Sequence, residues 1–83
     1  MYKKLFYKQE LNSKEVEELI KNSIEERIED YSRFTQKVLC YIIYNNKYYE
    51  VFYYKDISNN LNEYPIQIAK EVKQKIVMKW EYI

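Results

Sequence analysis

The sequence contains no glycine and no histidine, and only one cysteine and one proline. Without glycine there is no phosphate-cradling loop, no nucleophile elbow and no dinucleotide fingerprint, because each needs a backbone free of Cβ at fixed points. Without histidine, the commonest general base and the commonest metal ligand are both missing. A lone cysteine, Cys40, precludes an intrachain disulfide, and its place in an apolar run reads as a small buried hydrophobe. These absences point away from an enzyme and imply neither cofactor nor metal. No apolar run approaches the roughly 20 residues that span a bilayer, and the start MYKKLFYK lacks a signal peptide's apolar stretch. The expectation is a cytoplasmic protein without a membrane partner.

What is present fits a folded chain: 83 residues, 47% hydrophobic and 33% charged. One domain over residues 1–83 is expected, with a thin core, since a domain of this size buries only about 60–65% of its unfolded surface. Net charge is +1, but residues 10–30 carry eight acids against three bases, a local −5 that leaves +6 elsewhere. A globally basic nucleic-acid binder is not indicated, although a local basic face is open.

The clearest pattern is a β-hairpin over Lys37–Lys55, in which two runs of β-branched and aromatic residues flank Asn45-Asn46. Asparagine tolerates the positive φ of a tight primed turn. A two-residue turn places Val38, Cys40, Ile42 and Tyr44 on one face with Lys47, Tyr49, Val51 and Tyr53. Lys37, Leu39, Tyr41, Ile43, Tyr48, Glu50, Phe52 and Tyr54 then share the other. A slip of one residue would exchange the sets. Both faces are substantially apolar, and the smaller aliphatics with Cys40 are expected to meet a helix.

That helix is expected from Asn12 to about Asp30. Asn12 and Glu15 are spaced as a capping box, and Val16, Leu19, Ile20, Ile24, Ile28 and Tyr31 recur at helical intervals. Two shorter helices with a bend at Asn22-Ser23 are the alternative. Residues 2–8 read as an edge strand, residues 56–65 as a loop, and about Val72–Tyr82 as a further strand, with a helix striped by Ile68, Val72, Ile76, Trp80 and Ile83 as its rival. The fold class is α+β: an antiparallel sheet of three to four strands with one amphipathic helix on one face.

Eleven tyrosines demand an account. Six lie on the hairpin, where they either pack the sheet or offer the stiff, amphipathic contact area typical of interface centres. The candidate partner-binding residues are Tyr41, Tyr48, Glu50, Phe52 and Tyr54 on the aromatic face, with Glu25, Glu26 and Glu29 as an acidic lure for a basic groove. The alternative is a nucleic-acid accessory protein, with bases stacked on the sheet aromatics. Lys37, Lys47, Lys55, Lys70, Lys73, Lys75 and Lys79 would track phosphates. A homodimer would also cover the aromatic face. The paired carboxylates Glu17-Glu18 and Glu25-Glu26 do not make catalytic dyads, because neighbours on a helix face apart.

The order Ser32-Arg33-Phe34, hairpin, Tyr53-Tyr54, Asn62-Glu63-Tyr64-Pro65, Glu71-Val72 and Val77-x-x-Trp80 resembles a family of small uncharacterised proteins encoded by phages and prophages of Gram-positive bacteria. The similarity covers about residues 31–83. Where members commonly carry a glycine before the loop, this chain has Asp56-Ile57-Ser58. The resemblance implies a mobile-element source. From that class follows the expectation of a stoichiometric blocker of a host defence protein, such as an anti-CRISPR that occupies a CRISPR-Cas effector in the bacterial cytoplasm.

Overall fold

The computed structural model describes residues 2–31, 34–58, 61–74 and 80–82. It is an α+β domain built on the hairpin. Strands β3 (Thr35–Tyr44) and β4 (Lys47–Asp56) pair in antiparallel register, Val38 opposite Tyr53 and Tyr41 opposite Glu50. Asn45 and Asn46 take φ of 53° and 61°, the left-handed pair that a two-residue primed turn requires. The two faces therefore carry the residue sets that alternation assigns them.

Helix α2 (Ser13–Lys21) opens with the expected capping box: Glu15 N–H donates to Asn12 Oδ1 and Asn12 N–H donates to Glu15 Oε1. It then ends nine residues later, short of Asp30. The residues expected to continue it form strand β2 (Glu25–Tyr31), paired antiparallel with β3. Ile24 and Ile28, four apart, suit a helical stripe and also a strand face, so periodicity does not separate the two. The ladder prevails because without β2 the ten-residue β3 would leave a long row of backbone donors and acceptors unpaired.

The N-terminal segment corrects a second expectation. Residues Tyr2–Phe6 form a helix, α1, and not an edge strand. Leu5 is fully buried, Tyr2 stacks on Tyr44 at 5.5 Å, and Lys4 Nζ lies 2.8 Å from Glu15 Oε1. The helix closes when Gln9 N–H donates to Lys4 O and Lys8 N–H to Leu5 O, with Lys8 left-handed at φ 55°. This is the Schellman closure, normally given to glycine, and a side chain there costs roughly 1–2 kcal/mol.

Beyond the hairpin, the region read as loop holds one short strand, β5 (Leu61–Glu63), and a second, β6 (Gln67–Ile68), follows just after it. Strand β6 pairs with β1 (Glu10–Leu11) in a separate two-stranded ribbon. The expected C-terminal strand is a pair, β7 (Lys70–Gln74) and β8 (Trp80–Tyr82), which run antiparallel to each other. Residues 75–79 lie outside the described residues. Strand β4 shares its second edge: β7 takes Tyr48–Glu50 and β5 takes Tyr54–Asp56. The main sheet runs β2-β3-β4-β7-β8, with β5 beside β7 on β4. It has six strands where three or four were expected: β2 takes the place of the N-terminal strand, the C-terminal strand is split into β7 and β8, and β5 is added.

The main core lies between the helices and one sheet face, where Leu5, Leu11, Val16 and Leu19 meet Val38, Cys40, Ile42, Tyr49, Val51 and Tyr53. Each such fully buried aliphatic contributes about 1.5–3 kcal/mol. No helix of the described residues is long and apolar enough to cross a membrane.

Candidate functional site

Among the described residues no helix packs on the opposite sheet face. Its floor is Leu39, Tyr41 and Val72, with Tyr48 and Phe52 packed against them half-buried. Two of the expected contact residues are part of that floor. Tyr41 donates its hydroxyl to Glu50 Oε2 at 3.0 Å, and both side chains are buried. Tyr82, arriving from β8, donates to Glu50 Oε1 at 2.9 Å. Glu50 thus ties three strands together, a buried carboxylate made tolerable by two hydroxyl donors. Burial first, then the bond to Glu50, pushes the Tyr82 hydroxyl up to about 12 and that of Tyr41 further still. Tyr41 and Glu50 are internal struts, not groups a partner can reach.

Tyr48, Phe52 and Tyr54 form the accessible row. Phe52 and Tyr54 meet edge to face at 5.7 Å, and Lys37 Nζ stands 4.7 Å above the Phe52 ring. Lys37 also pairs with Glu29 at 3.0 Å, and that bond holds its ammonium above the usual lysine value. The exposed Ile43 continues the row towards the turn, and Tyr82, 56% exposed, flanks it from β8 under Lys70 Nζ at 5.1 Å.

The acidic residues are redistributed by the change from helix to strand. Glu25 stands opposite Tyr41, which places it with Glu29 on the aromatic face. Glu26, opposite Cys40, is on the helix side, where the Cys40 thiol approaches its carboxylate at 3.8 Å. Two groups expected on separate elements therefore share one surface, and Glu26 leaves it. Tyr82 and Ile43 were not among the expected contacts, and Lys70 was expected only as a phosphate contact. Alternation placed Ile43 on the correct face, but only the β7–β8 pairing brings Tyr82 and Lys70 alongside.

The lysines do not converge. Lys37 and Lys70 sit on the aromatic face, whereas Lys47 pairs with Glu71 at 3.5 Å and lies over the Phe6 ring on the helix side. Lys75 and Lys79 lie outside the described residues. A hollow of about 430 Å³ lined by Lys8, Ala69, Lys70, Glu71 and Tyr82 borders the face and mixes both charges. Among the described residues no three cysteine or carboxylate side chains gather as a metal-holding group. What this arrangement offers chemically is contact: a half-buried aromatic row with carboxylates and ammonium groups along its margins. No protein-family model, curated protein or solved structure matches the chain.

Proposed function

We propose that this is a small phage-derived protein that binds a host defence protein and blocks it by occupancy, in the manner of an anti-CRISPR acting on a CRISPR-Cas effector. The observation that carries the binding reading is the sheet face opposite the helices, where Tyr48, Phe52 and Tyr54 stand accessible beside Glu25 and Glu29. Aromatic anchors ringed by charge are the usual energetic centre of a protein interface. The defence-protein target rests on the family resemblance of residues 31–83.

The test is capture of the tagged protein's partner from bacterial lysate with and without nuclease, followed by an interference assay against the captured protein. One stoichiometric protein that survives nuclease is expected, with Tyr48→Ala or Phe52→Ala weakening the complex while the fold persists. Unchanged affinity in both variants would move the interface off this face. The alternative, nucleic-acid binding through the aromatic face and lysines, draws on Lys37 and Lys70 beside the rings. It requires affinity that falls steeply with salt.

A further inference from the structure

The hollow of about 430 Å³ beside the aromatic face collects groups from three distant segments: Lys8 at the close of α1, Ala69, Lys70 and Glu71 at the start of β7, and Tyr82 from β8. The described β7–β8 pairing covers Val72, Lys73 and Gln74, and the hollow opens beside the two β7 residues that precede it. Ala69, buried and the smallest of the lining side chains, leaves room there.

Alternation along β7 sorts the charges of this lining. Glu71, opposite Tyr49, turns to the helix side, where Lys47 Nζ neutralises it at 3.5 Å. Lys70 turns to the aromatic face, its Nζ 5.1 Å from the centre of the Tyr82 ring. It stands across the ladder from Glu50, but that carboxylate accepts from the Tyr41 and Tyr82 hydroxyls and makes no ion pair with it. Among the described residues Lys8 has no carboxylate partner either. Three ammonium groups (Lys8, Lys47, Lys70) thus stand against two carboxylates (Glu50, Glu71) that are both engaged, which leaves +1.

Charge, size and shape select the ligand. Two ammonium groups without carboxylates suit an anion with several oxygens, and lysine serves phosphate as a point charge. The volume falls within the roughly 300–1,000 Å³ of small-molecule sites, more than an inorganic ion fills. Tyr82, 56% exposed, adds a flat ring on which a base can stack.

We propose that this hollow binds a mononucleotide, with its phosphate held by Lys8 and Lys70 and its base laid against Tyr82. Binding turns the Lys70 ammonium from the ring to the phosphate, which bares the ring for the base. The site goes beyond the blocking role and uses neither Tyr48 nor Phe52.

The probe is adenosine monophosphate, titrated into isotope-labelled protein and followed by amide chemical shifts. Saturable shifts at Lys8, Ala69, Lys70, Glu71 and Tyr82 are expected, with affinity about tenfold or more above that of inorganic phosphate or of adenosine. Lys70→Gln should weaken binding about tenfold, as should Lys8→Asn, in which the new residue tolerates the left-handed backbone. Both lysines are exposed, so the fold should persist, and Tyr48→Ala should leave the titration unchanged. The proposal is overturned by an absence of saturation at millimolar nucleotide, by equal affinity for phosphate or adenosine, or by full binding in both lysine variants. Shifts confined to Tyr48 and Phe52 would also overturn it. An oligoadenylate that binds the same residues far more tightly than the mononucleotide would overturn it in favour of nucleic-acid binding.

Discussion

Tyr49 Oη is buried within the main core and is the only buried side-chain polar atom without a hydrogen-bond partner among the described residues. The ring fills space between the helices and the sheet, and the oxygen has lost water without replacement, which costs about 1–3 kcal/mol. Tyr49→Phe keeps the ring and removes that penalty, so the variant is expected to be more stable by about 1 kcal/mol in chemical denaturation. A loss of stability would mean the hydroxyl has a partner. Cys40, from the same core, shows how position silences chemistry. Burial, with the Glu26 carboxylate adding to the effect, pushes its thiol up to about 12. Since the thiolate is the reactive form, labelling by a disulfide reagent at pH 8 should track global unfolding and accelerate with denaturant. Rapid labelling of the native protein would contradict the burial.

At the scale of elements, the gap in the second edge of β4 is the feature that sequence reading had no means to reach. Strands β5 and β7 pair on either side of it, and the Gln67 carboxamide fills the space: Phe52 N–H donates to Gln67 Oε1 and Gln67 Nε2 donates to Phe52 O, both at 2.8 Å. A side chain thus substitutes for a missing peptide unit, while its own backbone serves the β1–β6 ribbon. Gln67→Ala should cost about 2–3 kcal/mol by stranding both groups. Gln67→Glu should also destabilise, since a carboxylate can accept from Phe52 N–H but cannot donate to Phe52 O. A neutral result for both would show that water satisfies Phe52 equally well. The hairpin, its register and its face assignment were legible because Asn45-Asn46 and strict alternation are local signals. The second half of the expected helix was not, since Ile24 and Ile28 fit both periods and the deciding factor was the needs of β3. Nor was the split of the candidate site, for alternation places Tyr41, Glu50, Tyr48 and Phe52 on one face without saying which are walled in. That division depends on Tyr82 and Val72, far along the chain.

For the whole molecule, these buried tyrosines make alkaline stability a collective property. Burial raises Tyr41, Tyr49 and Tyr53 above the ordinary value of 10.0, and Tyr82 rises with them through burial and its bond to Glu50. Below pH 10 the folded and unfolded chains both hold these protons, and stability does not depend on them. Above it, the unfolded chain releases protons the folded chain keeps, so stability falls as pH climbs until the native hydroxyls themselves ionise. Each fully buried tyrosine adds up to about 1.4 kcal/mol per pH unit to that slope. Tyr82, more than half exposed, adds less because solvent screens it. Lys37, raised by its bond to Glu29, contributes with the same sign. Cys40, whose thiol is pushed up from 9.0 to about 12 by burial, contributes first and with the same sign. Urea midpoints should therefore be level from pH 7 to about 8 and then decline steeply towards pH 12. Tyr49→Phe separates the tyrosine share from that of the lysines, since it deletes one titrating hydroxyl without breaking a bond. Its stability should exceed the parent's by a margin that widens above pH 10, whereas a constant margin would mean that Tyr49 ionises alike in both states.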